Sequence, residues 1–299
     1  MSTEGDYYVP ESSKFPIFAA TGLGLIALGA GSWVQGESSL VFWIGAFVIS
    51  ATLYKWFSLV IEENMAGMNS DQLKRSYVWG MGWFIFSEVM FFAVFFGSLW
   101  YIRALVIPWL GGEATENDLL WAGFEPTWPL MITPDQAANG DAAKFLGPEQ
   151  NMSFPGWDRI LHWLPLWNTV ILLSSSVTVH IAHTGLKNND RKKFNIWLGI
   201  TVLLGMIFLV LQAEEYIEAY VHMGLTLESG IYGTIFFMMT GFHGLHVTFG
   251  TIMLLVQFLR GLKGHFNEKD QFGFEAASWY WHFVDVVWVG LFLFVYILA

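Results

Sequence analysis

Long runs of apolar residues, separated by polar connections, dominate the pattern of hydrophobic and polar positions along the chain. A helix needs about 20 mostly apolar residues to cross the ~30 Å hydrocarbon core of a bilayer, and seven runs meet that requirement. They are residues 16–34, 39–61, 77–107, 162–184, 194–221, 230–262 and 276–298. The third, fifth and sixth runs are longer, so we expect them to tilt or to project beyond the bilayer. The pattern predicts an all-α integral membrane protein with seven transmembrane helices.

The connections between the runs are short, except for residues 108–161, which are rich in glycine, proline, asparagine and aspartate. A loop of this length is usually functional or flexible. Tryptophan favours the membrane interface, so we expect this tryptophan-containing loop to lie across the outer face of the bundle. Its tryptophans include Trp109, Trp121, Trp128 and Trp157. The predicted organisation is residues 1–61 as the N-terminal tail with spans 1 and 2, and residues 62–299 as spans 3 to 7 with this loop.

The composition agrees with a membrane protein. Of the 299 residues, 55% are hydrophobic and 13% are charged, and the mean hydropathy is +0.48. Soluble domains usually carry about 25% charged residues. The net charge of −11 argues against nucleic acid as a partner, because binding a phosphate backbone requires a basic surface. The absence of cysteine excludes disulfides, thiolate nucleophiles and thiolate-ligated metals.

The distribution of lysine and arginine predicts the orientation of the chain. If the N-terminus is cytoplasmic, eleven of the fourteen basic residues fall on the inner side, as the positive-inside rule requires. The eleven are Lys14, Lys55, Lys74, Arg75, Lys187, Arg191, Lys192, Lys193, Arg260, Lys263 and Lys269, and the other three are Arg103, Lys144 and Arg159. The N-terminal segment lacks the charged and apolar regions of a cleaved signal peptide, so the first span is expected to serve as the targeting signal.

Glu88 lies in the middle of the third span, in the motif FSEVMFF at residues 86–92. An acidic residue at the bilayer centre costs about 2.5–3.5 kcal/mol on insertion scales, so this side chain should face the bundle interior or be protonated. Two interpretations stay open. The carboxylate exchanges protons or gates lipid, or it is a neutral acid hydrogen bonded to a neighbouring helix.

Spans 6 and 7 each carry two polar residues at i,i+3 spacing: His243 with His246 in TGFHGLHVTFG, and His282 with Asp285 in WYWHFVDVVW. Histidines on adjacent helices of a bundle can ligate a metal. Neither span contains a Glu-x-x-His motif. Interhelical hydrogen bonding, with the glycines of span 6 permitting close approach, is therefore the favoured interpretation.

Span 5 ends in LQAEEYIEAY, where Glu214, Glu215 and Glu218 form a polar helix end, a docking surface or a proton exit. The polar helix end is favoured for Glu218, which lies farthest from the apolar centre. His180 and His183, at the inner end of span 4, are interpreted as packing residues near water. The chain contains neither a Walker-type phosphate loop nor a G-x-S-x-G elbow. Residue-level reasoning thus reaches a seven-helix membrane protein without naming a reaction.

Four stretches, which include the motifs above, occur in an order typical of one protein family. They are FSEVMFF (86–92), LQAEEYIEA (211–219), TGFHGLHV (240–247) and GFEAASWYWHFVDVVW (273–288). With NTVILLSSS and DRKKF between them, these motifs resemble subunit III of cytochrome c oxidase, and the likeness spans nearly the whole chain.

The resemblance implies a subunit of the proton-translocating haem–copper complex that transfers electrons from cytochrome c to dioxygen. Haem and copper would belong to partner subunits I and II, and this chain would carry no redox centre and no metal. A two-helix and a five-helix bundle would form a V-shaped cleft that holds structural phospholipids. The chain would pack directly against subunit I, with subunit II in the same complex, and would support proton uptake and enzyme stability during turnover.

The resemblance also implies roles for individual residues. Glu88 would be the buried carboxylate beside the lipid cleft, either protonated or hydrogen bonded. Polar packing inside the membrane is expected for His243, His246, His282, Asp285, Glu214 and Glu215. The candidates for binding a lipid head group are Trp56, Glu63, Arg260, Lys263 and His265.

The lipid-binding motif departs from the family pattern. Many members read Trp-Trp-Arg-Asp-Val-Ile-Arg-Glu where this chain reads WFSLVIEE at 56–63, so both arginines are replaced, by Ser58 and Glu62. The following His-His pair is replaced by Met68 and Asn69. These changes predict that lipid is bound with an altered head-group preference.

The 108–161 loop is longer than in mitochondrial members, which favours a bacterial protein of the inner (plasma) membrane with a periplasmic C-terminus. The third subunit of a quinol oxidase and a nitric-oxide-reductase accessory protein are alternatives, although such proteins usually have fewer spans. A stand-alone proton-coupled carrier would also place a carboxylate in the membrane, but the sequence contains no inverted repeat or broken helix. A di-metal membrane oxidase is the remaining alternative.

Overall fold

The computed structural model describes residues 12–68, 70–113, 121, 123–266 and 271–299. Seven helices in this part of the chain are long and apolar enough to cross a membrane. We label them α1 (Phe15–Val34), α2 (Leu40–Met65), α3 (Asp71–Tyr101), α4 (Leu164–Lys187), α5 (Arg191–His222), α6 (Gly230–Leu262) and α7 (Phe272–Leu291). The described residues contain no β-strand, so the predicted seven-helix membrane fold is confirmed. Residues 1–11 of the predicted tail, Asn69 and Lys269 lie outside the described residues.

The helices extend beyond the apolar runs that predicted them. Helix α3 begins at Asp71 rather than at residue 77, and π-helical turns continue it through Ile102–Val106 and Trp109–Glu113. An acidic residue in the first turn is favourable because it faces the positive end of the helix dipole. The polar end turns continue the helix outside the hydrocarbon. An apolar pattern marks only the part of a helix inside the hydrocarbon, so it does not predict these turns.

The chain divides into two compact units, the first ending at Gly80 and the second beginning at Met81. In the first unit α1 and α2 pack against each other through glycine. A Cβ atom on Gly29 would clash with the backbone of Phe42, and one on Gly45 would lie 2.6 Å from the backbone nitrogen of Ile26. Small residues permit this approach, and van der Waals contact then holds two apolar helices together inside a bilayer. The cleft expected from the family resemblance stays a prediction.

The second unit contains the main core, to which α3, the long loop and α4 to α7 all contribute buried residues. Trp281 and Trp288 of α7 are fully buried, and the indole nitrogen of each donates a hydrogen bond to α4, at 2.9 Å to Ser175 Oγ and 2.9 Å to Thr169 Oγ1. Gly250 of α6 makes room for this arrangement, since a Cβ there would lie 2.8 Å from the Trp281 ring. The two indoles therefore join three helices with both packing and hydrogen bonds.

The long loop before α4 packs against helix ends of the second unit. Its backbone donates from Phe154 N to Tyr296 O at 2.9 Å and from Glu149 N to Met223 O at 3.0 Å. The loop contains a short helix, Pro134–Asn139, capped by Thr133. Asp135 of that helix accepts hydrogen bonds from Asn139 and from the Lys144 backbone, which lower the pKa of its carboxyl group.

The glycine contact in the first unit predicts the effect of one added methyl group. Gly29→Ala should destabilise the α1–α2 packing by about 1–3 kcal/mol, because the methyl group would overlap the backbone of α2. Gly24→Ala is the matched control, since nothing lies within 4 Å of a Cβ at that position of the same helix. Thermal unfolding of both variants in one detergent should show a lower Tm for Gly29→Ala only. Equal Tm values would refute the close contact.

Candidate functional site

Glu88 of α3 pairs with His246 of α6 in the second unit. The Glu88 Oε2 atom lies 2.9 Å from His246 Nε2, and the two side chains are 21% and 10% exposed. The rings of Phe91, Phe92 and Tyr280 surround the imidazole, the nearest with its centroid 4.9 Å away. An ionisable pair is thus held between aromatic side chains.

The other hydrogen bond of His246 limits what this pair can hold. His246 Nδ1 lies 2.7 Å from the backbone oxygen of Phe242. A carbonyl oxygen only accepts, so Nδ1 carries a proton and donates it there. Nε2 and the Glu88 carboxyl group then share a single proton in their 2.9 Å hydrogen bond. The pair is either a neutral acid donating to a neutral imidazole, or a carboxylate that accepts from an imidazolium.

His243, one turn before His246, contacts a different helix. It is fully buried, and its Nε2 donates to the backbone oxygen of Val284 on α7 at 3.2 Å. Its ring packs against Trp288 at a centroid distance of 5.0 Å. The i,i+3 spacing therefore links α6 to two neighbours, α7 through His243 and α3 through His246.

His282 and Asp285 of α7 form a second polar group with α4. His282 Nδ1 lies 2.7 Å from Ser176 Oγ and 3.9 Å from Asp285 Oδ2. The Asp285 side chain is 5% exposed, and neither of its carboxyl oxygens has a hydrogen-bond partner among the described residues. The His282 side chain is 43% exposed, so it lies at the surface of the unit.

Glu215 of α5 is at the centre of a third polar group, close to the end of α7. Its Oε1 accepts from the Tyr296 hydroxyl at 2.6 Å, and its Oε2 accepts from Asn168 of α4 at 3.3 Å. The residue is 2% exposed. Glu214 and Glu218 are on the exposed side of the same helix and take no part in this group.

The candidates for binding a lipid head group divide between the two units. Trp56, which stacks on Phe15 at a centroid distance of 5.8 Å, and Glu63 belong to the first unit. The remaining candidates, Arg260, Lys263 and His265, lie at the C-terminal end of α6 in the second unit.

The basic end of α6 has a defined geometry. The Arg260 guanidinium lies 4.7 Å from the centre of the Phe266 ring and donates to Gln257 Oε1 at 3.1 Å. Partial burial and the positive charges of Arg260 and Lys263 lower the pKa of His265. At neutral pH the cationic groups here are therefore the arginine and the lysine.

The polar groups do not converge as metal ligands would. Among the residues that the structure describes, no group of three or more histidine, aspartate or glutamate side chains is arranged to hold a metal ion. Each of the three polar groups instead connects two or three helices by hydrogen bonds.

Comparison with known proteins places this arrangement in a family. A family model described as cytochrome c oxidase subunit III matches residues 5–114 and 161–299. The chain belongs to the cytochrome c oxidase subunit III family. It is 36% identical over 293 residues to cytochrome c oxidase subunit 3 of Equus asinus, covering 97% of this chain and 96% of the relative. The subunits of Latimeria chalumnae and Homo sapiens are 37% and 36% identical over 291 residues each, with the same coverage.

The family model leaves one segment of the chain unmatched. Residues 115–160, most of the long loop, lie between the two matched segments. All three polar groups lie inside the matched segments.

Sequence reasoning located the ionisable residues but not their partners. Asn168, Ser176 and Tyr296 complete the polar groups. Ser174–Ser176 and Thr178 of span 4 were predicted as groups that hydrogen bond between helices, and Ser176 does so with His282, whereas Asn168 and Tyr296 were not singled out. Asn168 carried a signal, since an amide inside an apolar span requires an interhelical partner. Tyr296 carried none, because tyrosine is common at the ends of transmembrane helices.

The Glu215 group predicts the cost of removing one hydroxyl. Tyr296→Phe should destabilise the protein by about 1–3 kcal/mol, because it removes a hydrogen bond from a buried carboxyl oxygen. Tyr54→Phe is the control, since Tyr54 is 77% exposed. The double variant with Glu215→Gln should lose less than the sum of the two single changes, since the residues interact directly. Additive losses in thermal or denaturant unfolding would contradict a direct interaction.

Proposed function

We propose that this chain is a non-redox subunit III of a cytochrome c oxidase in a bacterial inner membrane. It packs against subunit I, with subunit II in the same complex, and those partners carry the haem and copper. The complex transfers electrons from cytochrome c to dioxygen and translocates protons. The observation that carries the proposal is the family match to residues 5–114 and 161–299, together with relatives named as this subunit.

Within the complex, Glu88 and His246 support proton uptake and enzyme stability. Their single shared proton lies in a 2.9 Å hydrogen bond between α3 and α6. The Glu88 side chain is 21% exposed, so its carboxyl group can be approached from outside the unit.

The orientation follows from charge. Lys187, Arg191 and Arg260 flank helix ends that the positive-inside rule assigns to the cytoplasm. Arg103 Nη2, which donates to the backbone oxygen of Leu298 at 2.8 Å, holds the far end of α3 beside the C-terminus. The N-terminus is then cytoplasmic and the C-terminus periplasmic.

Phospholipid binding is the second part of this role. A recess is lined by residues that include Asn189, Arg191, Gly264 and Phe266. Arg260 is close to it, since its guanidinium lies 4.7 Å from the centre of the Phe266 ring. Lys263 adds a further positive charge at the end of α6. Cations near the membrane surface attract anionic head groups by about 1 kcal/mol each.

Purification through a tag on this chain, in a mild detergent that keeps native complexes, tests the proposal. The expected result is an optical spectrum with haem bands and two larger co-purifying subunits, one containing cysteine copper ligands. A colourless chain that purifies alone would refute it. Stoichiometric iron or copper in the chain after separation from the other subunits would refute its non-redox role.

Glu88 variants separate a role in proton exchange from a role in packing. Glu88→Gln can still donate a hydrogen bond to His246 Nε2 but cannot release a proton. Glu88→Ala removes both properties. We expect both variants to slow steady-state turnover of the purified oxidase severalfold, and only Glu88→Ala to lower its Tm. Full turnover in the glutamine variant would leave Glu88 with a packing role alone.

A further inference from the structure

The outward face of α4 and α7, in the second unit, carries polar residues among apolar ones. Its exposed apolar residues include Val170, Leu173 and Val177 on α4, Trp279, Val286 and Val289 on α7, and Leu293 in the π-helical turn Phe292–Ile297 that follows α7. His180 of α4 is exposed on this face, and the half-exposed His282 lies on the α7 side of it. We call these residues the α4–α7 stripe.

His282 lies inside the apolar part of its span. It follows residue 276, the start of the apolar run 276–298, by six positions, which corresponds to about 9 Å along a helix. An imidazole is far shorter than lysine or arginine, the side chains that extend to the interface from such positions. The 43% exposed His282 ring therefore faces the hydrocarbon level of the membrane.

The inner side of the ring is already occupied. Its Nδ1 contacts Ser176 at 2.7 Å, with Asp285 buried behind it. Its Nε2 has no hydrogen-bond partner among the described residues. Lipid tails offer neither a donor nor an acceptor, so an imidazole facing them would leave a polar nitrogen unsatisfied at a cost of several kcal/mol.

The outward face of α5 and α6 provides the contrast. Its exposed residues at the corresponding depth are apolar, among them Leu203, Met206 and Val210 on α5 and Phe249 and Ile252 on α6. That surface meets the requirements of lipid. The α4–α7 stripe does not.

We propose that the α4–α7 stripe is the surface on which a transmembrane helix of another oxidase subunit packs, with a polar side chain of that helix hydrogen bonded to His282 Nε2. This inference rests on the proposed function, and it assigns a face and a central contact to the packing between subunits. The partner side chain is a hydroxyl, amide or carboxyl group, since each of these can pair with an imidazole nitrogen.

The spacing of the stripe fits a helix as the occupant. On α7 the outward positions are 279, 282, 286 and 289, followed by 293 in the π-helical turn after it, and on α4 they are 170, 173, 177 and 180. Alternating steps of three and four residues form a stripe along the helix axis, as in the seam where helices pack at a crossing angle of about +20°. Valines at several of these positions give the stripe a short, stiff surface.

Site-specific photo-crosslinking in the assembled complex tests the proposal. A benzophenone side chain is introduced at Val286 or Val177, and at Val210 or Ile252 as exposed controls on the α5–α6 face. After irradiation in native membranes and tag purification, the probes at positions 286 and 177 should each form one adduct, with a membrane subunit of the haem-containing complex. The control probes should form adducts with lipid. Lipid adducts alone at Val286 and Val177, in a preparation that retains its haem spectrum, would overturn the proposal. A preparation without haem would refute the proposed function, and the oxidase partner with it.

Variants at His282 test the central contact separately. His282→Leu should reduce co-purification of the crosslinked subunit severalfold while the chain itself remains in the membrane at its usual level. His282→Gln keeps a polar group at the same depth and should restore much of the association. Unchanged co-purification with His282→Leu would show that His282 does not contact the partner.

Discussion

Hydrocarbon cannot hydrogen bond, and this constraint determines how the helices of the second unit are arranged. A polar side chain buried inside a span is costly unless it is hydrogen bonded, and three groups in this unit find partners on other helices. Glu88 meets His246, Glu215 meets Tyr296 and Asn168, and Ser176 meets His282. These contacts join α3 to α6, α5 to α4 and to the π-helical turn after α7, and α4 to α7. Such contacts determine which helices become neighbours. Apolar packing alone is less specific, because the leucine- and phenylalanine-rich surfaces of the helices resemble one another.

The first unit satisfies the same constraint by a different route. Its only buried residues in α1 and α2 are three glycines and Thr52, whose hydroxyl bonds to its own helix at 2.7 Å. With almost no polar group to satisfy, the two helices associate through backbone contact at Gly29 and Gly45. One unit thus depends on hydrogen bonds between side chains, and the other on the absence of side chains.

The sequence predicted the spans because the physical requirement, a run of apolar residues long enough for a bilayer, is local. It identified Glu88, His246 and His282 for the same reason, since an ionisable residue in an apolar run is visible without knowledge of the fold. Their pairing was not predictable, because i,i+3 spacing shows that His243 and His246 are one turn apart but not that they contact different helices. The loop contacts at Tyr296 and Met223 were equally hidden, since backbone groups of an irregular segment leave no pattern.

The hydrogen bond between Glu88 and His246 joins residues 158 positions apart. At typical synthesis rates, about 8–32 s pass between the appearance of the glutamate and that of its partner. If α3 enters the membrane during that interval, its carboxyl group cannot yet hydrogen bond to His246. Until then the acidic residue carries an insertion cost of about 2.5–3.5 kcal/mol that this hydrogen bond does not offset. Membrane insertion therefore adds a requirement at Glu88 that the folded structure does not show. It ends when α6 is inserted and Glu88 can hydrogen bond to His246.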